Sequence, residues 1–145
     1  MRYSGRMYPF ALFLHISLVM LLLGVSVATD SALSLARRQP DLAVGLRRLV
    51  SLRLLNVEAV AAVGALVLGL TLLLVNPAGM AIFKTGMWIH LKVTFGLLGI
   101  MLVFVSRFGI TEDGKAGWVQ PVRGIGQASM LATVFAAEVL RMLLA

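Results

Sequence analysis

The chain consists of four long apolar stretches separated by short polar connections. Each stretch has about 20 residues, the length that a helix needs to span roughly 30 Å of hydrocarbon. Apolar residues run continuously through them without alternation, so the pattern predicts helices and not barrel strands. We expect an all-α fold, an integral membrane four-helix bundle, with spans at about residues 8–29, 54–75, 85–106 and 124–144.

The longest connection, residues 30–53, is predicted to contain a helix of its own. Pro40-Asp41 is a helix start signal with Asp41 as the cap. The apolar residues that follow share one helical face: Leu42, Leu46, Leu49 and Val50. The sequence therefore predicts a short amphipathic helix at about 41–53 on the membrane surface. The other two connections carry turn signals, Asn76-Pro77 and Glu112-Asp113-Gly114.

The distribution of basic residues predicts the orientation of the bundle. The connections after the first and third spans share one side and carry eight basic residues: Arg37, Arg38, Arg47, Arg48, Arg53, Arg107, Lys115 and Arg123. The opposite side carries four: Arg2, Arg6, Lys84 and Arg141. We therefore expect both termini on the outer side of a cell inner (plasma) membrane. Glu58, near the inner end of the second span, is expected to pair with Arg53 or another arginine of these connections.

Composition supports a single transmembrane domain over residues 1–145. The chain is 60% hydrophobic and 13% charged, with a mean hydropathy of +0.98, whereas soluble domains carry about a quarter charged residues. The absence of cysteine excludes disulfides, thiolate metal sites and thiol catalysis. The net charge of +7 resides mainly in short connections beside apolar runs. It therefore indicates contact with lipid headgroups, and we set nucleic-acid binding aside.

Small residues recur at four-residue spacing in two of the predicted spans. The second span has Ala61, Ala65 and Gly69, and the fourth has Ala128, Ala132 and Ala136. Such stripes allow helices to pack closely in lipid. Helix packing is the simpler interpretation, and close approach of a flat cofactor is the alternative.

Ionisable side chains inside the spans are the candidates for chemistry, because they are costly in a bilayer. His15, His90 and Glu138 come from three different spans, and counting residues puts each roughly 8–10 Å below the same outer surface. Two histidines at one depth are candidate metal ligands, and haem b between helices is the expected cofactor. Its propionates would pair with cations on the outer side: Lys84, Lys92 and Arg141. Lys92 is the weaker candidate, since it points away from the His90 face.

Other interpretations of the same residues remain open. Either histidine could form hydrogen bonds between helices. Glu138 is a candidate proton site, or it forms an intrahelical pair with Arg141 three residues on. Met80 and Met87 with His90 offer thioether and imidazole ligands that suit copper.

The segment Trp88-Ile89-His90-Leu91-Lys92 resembles the Trp-(Leu/Ile)-His-x-Lys motif of the HemJ and CopD-like membrane proteins. His15, within Leu12-Phe13-Leu14-His15-Ile16, matches the other histidine of that pattern. HemJ proteins are membrane b-type haem proteins implicated in oxidising protoporphyrinogen IX, and CopD-like proteins are associated with copper handling. The resemblance implies haem at His15 and His90 and a role for Lys92. The chain departs from HemJ after the first histidine and at the start of the last span.

The expected function is therefore that of a membrane-bound b-type haem protein that carries electrons. It would be a HemJ-like oxidoreductase or an electron-transfer subunit, working beside partner membrane subunits or further copies of itself. The alternatives are a haem-free accessory subunit of a membrane complex and CopD-like copper transport.

Overall fold

The computed structural model describes residues 7–75, 87–111 and 114–143, and almost all of them are helical. The helices are α1 (Met7–Arg38), α2 (Pro40–Leu49), α3 (Leu55–Val75), α4 (Met87–Ser106) and α5 (Val119–Leu143). A π-helical segment, Val50–Leu54, joins α2 to α3. A 3₁₀ turn, Arg107–Gly109, and two antiparallel strands, β1 (Ile110–Thr111) and β2 (Gly114–Lys115), lie between α4 and α5.

Within the described residues, three helical runs are long and apolar enough to cross a membrane: Tyr8–Arg38, Pro40–Leu74 and Ile89–Gly109. Large apolar side chains on their outer faces are exposed, as expected for contact with lipid; Phe13, for example, is 68% exposed. The prediction of an all-helical membrane protein is therefore supported.

The first two runs form one long antiparallel hairpin. Leu18 packs against Gly64, His15 packs against Gly69, and Leu33 shares a core cluster with Val50. At 1.5 Å per residue the two runs are about 46 and 52 Å long, well beyond about 30 Å of hydrocarbon. The contact of His15 with Gly69 brings the ends near Tyr8 and Leu74 level, so the excess length lies at the end that contains residues 30–54.

The short helix predicted at about 41–53 is present as α2, Pro40–Leu49. The predicted end of the first helix, near Thr29, is wrong. Instead, α1 continues to Arg38 and the chain reverses at Gln39. Gln39 has φ −127° and ψ 87° because a following proline disfavours the helical conformation. Pro40 then occupies the first helical turn, where its missing N–H costs nothing. Asp41 lies inside that turn and is not the cap.

The second pair, α4 and α5, packs through glycine. A Cβ placed on Gly99 would lie 2.8 Å from the carbonyl oxygen of Gly126 and 3.0 Å from the backbone nitrogen of Met130. The contact face of α5 therefore contains Gly126 and Met130. Of the stripe predicted on this helix, Ala128 is exposed and Ala132 is half-buried, and the side chain of Ala136 lies outside the described part. The stripe on α3 is correct, since Ala61 and Ala65 are fully buried.

Two apolar clusters hold these helices together. The larger one lies between all four long helices and contains Leu22, Ala61, Ala62, Ala65, Ile100, Val103 and Met130. The smaller one lies toward the hairpin tip and contains Leu33, Val50, Leu55, Ile110 and Val119. The larger cluster separates two polar regions, which are the candidate sites.

Candidate functional site

A cavity of about 300 Å³ opens between the helices, toward the ends at which α1 begins and α3 finishes. Most of its lining is apolar, and four of its described side chains are polar: Tyr8, His15, Lys92 and Thr133. An apolar cavity with a few polar groups is typical of a small-molecule site, and this volume lies at the lower end of the usual range.

The imidazole of His15 is held against α3. Its Nδ1 lies 2.9 Å from the carbonyl oxygen of Ala65. A carbonyl oxygen only accepts, so Nδ1 carries the proton and donates, which leaves Nε2 with its lone pair. A Cβ at Gly69 would lie 2.9 Å from Cε1 of His15, so the ring needs glycine at this position. Ala65 and Gly69 of this stripe therefore form the surface of α3 against which the His15 ring packs.

Lys92, and not His90, faces His15 across this cavity. Lys92 lines the cavity from α4, whereas His90 is exposed and is absent from the lining. The two residues are two positions apart and so point in different directions, as expected. The structure brings His15 and Lys92 to one site, and it does not bring His90 to that site.

The remaining predicted residues cannot be compared in the same way. Glu138 and Arg141 belong to the backbone of α5, but their side chains lie outside the described part. Lys84 and Met80 lie outside the described residues altogether, as does the side chain of Met87.

The second polar region is centred on Arg123, whose side chain is completely buried. Its Nη1 donates to Oε1 of Glu58 at 2.9 Å, and its Nε donates to Oδ1 of Asp30 at 3.1 Å. Further bonds reach the hydroxyl and carbonyl oxygens of Ser26 at 2.9 and 3.0 Å and the hydroxyl of Ser106 at 3.2 Å. This arginine cluster therefore joins α1, α3, α4 and α5.

Gln127 completes the cluster one helical turn after Arg123. Its side-chain nitrogen donates to Oδ2 of Asp30 and to the hydroxyl of Ser26, both at 2.9 Å. Each carboxylate oxygen of Asp30 thus accepts a bond from α5. A charged guanidinium is tolerated inside an apolar protein only when it is paired and hydrogen-bonded, and two carboxylates and two hydroxyls meet that condition here.

Sequence analysis predicted one part of this cluster and missed the rest. Glu58 does pair with an arginine of the basic connections, but the arginine is Arg123 and not Arg53. Arg123 was assigned to a loop, whereas α5 begins at Val119. Two signals pointed to this earlier start: Pro121, which is tolerated in a first helical turn, and the i, i+4 spacing of Arg123 and Gln127.

Comparison with protein-family models, curated protein sequences and solved structures finds no match to this chain. The described residues also contain no group of three or more His, Asp or Glu side chains arranged to hold a metal ion. The likeness to the HemJ and CopD-like proteins therefore remains a prediction from the motif residues.

Proposed function

We propose that this protein binds one haem b within the membrane, with His15 as an axial ligand, and carries electrons. The observation that carries the proposal is the hydrogen bond from Nδ1 of His15 to the carbonyl of Ala65. A metal-ligating histidine almost always donates its other ring N–H to such an acceptor, which fixes the tautomer and the ring orientation.

The scarcity of other ligands at the cavity favours haem over a bare metal ion. Thr133 and Tyr8 are weak ligands, and the described residues offer no triad of strong ones. A porphyrin brings four equatorial nitrogens, so one histidine from the chain is sufficient. Copper handling by Met80, Met87 and His90 has less support, because His90 does not line the cavity.

Lys92 has the role of binding an acidic group of the ligand. It is the cation among the described side chains that line the cavity. Its long aliphatic stem can lie along apolar surface while the ammonium group reaches a carboxylate. Haem carries two propionates, so the histidine and the lysine together fit its two chemically distinct parts.

When bound, haem would supply a one-electron redox couple. If the protein is an enzyme, we propose that it is an oxidoreductase that oxidises a porphyrinogen, as the resemblance to HemJ proteins implies. The chain contributes the apolar walls that exclude water, the ligand and the cation. The pairing of His15 with His90 on one haem, implied by the resemblance, is not favoured, since His90 is exposed. We propose an inner-membrane location with both termini outside, a fourth span formed by α5, and association with partner subunits or a second copy.

Absorption spectroscopy of the purified protein, with iron and copper content per chain, tests this function. We expect a reduced-state Soret and α band and about one iron per chain, the stoichiometry of a single axial-ligand site. A colourless protein free of iron would support the alternative, a haem-free accessory subunit. A protein that contains copper but no iron would support copper handling.

A further inference from the structure

A second concave surface lies on the opposite half of the molecule, where α1 passes α5. It is an open groove of about 460 Å³, and seven residues line it: Val27, Asp30, Ser31, Ser34, Leu35, Arg38 and Gln127. Val27 and Arg38 are eleven residues apart, so the groove runs roughly 16 Å along α1. It starts in the apolar part of the helix and ends at the basic hairpin tip.

The polar groups of this groove leave one charge available for a ligand, and that charge is positive. The two oxygens of Asp30 already accept bonds from Arg123 and Gln127, so this carboxylate is satisfied. Arg38 is exposed, and within the described part of the chain no hydrogen bond or ion pair engages its guanidinium. The exposed hydroxyl of Ser34 lies one turn before it on the same side of α1.

The depth of the groove indicates what kind of anion would reach it. Val27 and Leu35 are both exposed apolar residues, and Val27 lies within the apolar span predicted to end at Thr29. One end of the groove therefore faces acyl chains, and the other faces headgroups. The neighbouring α2 adds Arg47 and Arg48, which favours a ligand of net negative charge.

We infer that this groove binds an anionic phospholipid. Arg38 and Ser34 hold its phosphate, through the bidentate geometry that guanidinium groups form with phosphate. Val27 and Leu35 contact the first part of an acyl chain. The site is independent of the haem cavity, which lies at the other end of the helices.

Two adjacent arginines provide a matched test. Arg37 and Arg38 both lie exposed in the last turn of α1, but only Arg38 lines the groove. Protein in phosphatidylcholine nanodiscs would be titrated with phosphatidylglycerol, and bound lipid counted by native mass spectrometry. We expect Arg38→Gln to weaken retention of phosphatidylglycerol about tenfold, as for loss of a charge-assisted hydrogen bond, and Arg37→Gln to retain it.

Three results would overturn the inference. Equal losses in the two variants would indicate diffuse charge attraction without a site. Equal retention of phosphatidylcholine and phosphatidylglycerol would remove the role of net charge. Displacement of the lipid by millimolar inorganic phosphate alone would show that the site recognises a free anion and not a lipid.

Discussion

At the scale of single residues, the two candidate sites each depend on a buried or half-buried polar side chain that is held by partners from other helices. Arg123 is fully buried, and its guanidinium donates to two carboxylates and two hydroxyls. Nδ1 of His15 donates to the carbonyl oxygen of Ala65, and the ring packs against Gly69. Both arrangements depend on residues distant in sequence, so each can be tested by removing one partner.

Arg123→Gln should destabilise the protein strongly. The substitution leaves Glu58 buried without its cation and removes the three bonds that the guanidinium donates to Ser26 and Asp30. Breaking a buried ion pair from one side costs about 3–5 kcal/mol. Thermal unfolding in detergent would measure the loss. Arg48→Gln, which removes an exposed arginine of α2, is the control and should change stability by about 0.5 kcal/mol or less. Equal effects of the two substitutions would contradict the central role of the arginine cluster.

Gly69→Ala should displace the imidazole of His15. The new methyl group would lie 2.9 Å from Cε1, so the ring must rotate or α1 must shift. We expect reduced haem content and a shifted Soret band with only a modest change in stability. Gly24→Ala, on the neighbouring helix, meets nothing within 4 Å and should leave the spectrum unchanged. An unaltered spectrum in Gly69→Ala would argue against His15 as the ligand in this position.

At the scale of helices, apolar periodicity predicted where the chain can cross a membrane but not where its helices end. The span 54–75 agrees closely with α3, whereas α1 continues nine residues past Thr29. Residues 30–38 are polar enough to leave the membrane, yet they are rich in alanine, leucine and arginine, which favour helix. The apolar pattern indicates where the chain leaves the hydrocarbon, near Thr29. The helix continues to Arg38 because the residues that follow have high helix propensity.

The contact between α4 and α5 should depend on the absence of side chains at two positions. A methyl group at Gly99 would lie 2.8 Å from the carbonyl oxygen of Gly126, and backbone cannot move aside as a flexible side chain can. Gly99→Ala should therefore push the helices apart and cost about 1–3 kcal/mol. Chemical unfolding would measure this effect. Gly45→Ala, in α2 with nothing within 4 Å, should be neutral or stabilise by about 0.5–1 kcal/mol. A neutral Gly99→Ala would show that the helices are packed less closely than described.

At the scale of the whole molecule, sequence reasoning predicted a helical membrane protein and named both His15 and Lys92, which line the cavity. His15 was found because an ionisable group inside an apolar run is conspicuous. Most of the arginine cluster escaped prediction because its members lie near the ends of the predicted apolar spans, where charge is ordinary, and only packing reveals that they meet. Lys92 was ranked below His90 because a motif gives spacing along the chain and not the rotation of α4 toward its neighbours.

We predict the orientation of the molecule in the membrane from the eight-to-four asymmetry of basic residues. Arg47→Cys would be inaccessible to an impermeant thiol reagent added outside the cell. Gly79→Cys would be labelled; it lies outside the described residues, in the connection that the sequence places on the outer side. The natural chain contains no cysteine, so the background is clean. Labelling of Arg47→Cys from outside would reverse the assignment.

The central claim is that His15, seated on Ala65 and Gly69 at the cavity, is the axial ligand of a membrane haem. Reduced-minus-oxidised absorption spectra of His15→Ala and His90→Ala, purified in parallel, test it most directly. We predict that His15→Ala loses the Soret and α bands, whereas His90→Ala retains most of both, because His90 does not line the cavity. Full haem content in His15→Ala would contradict the account.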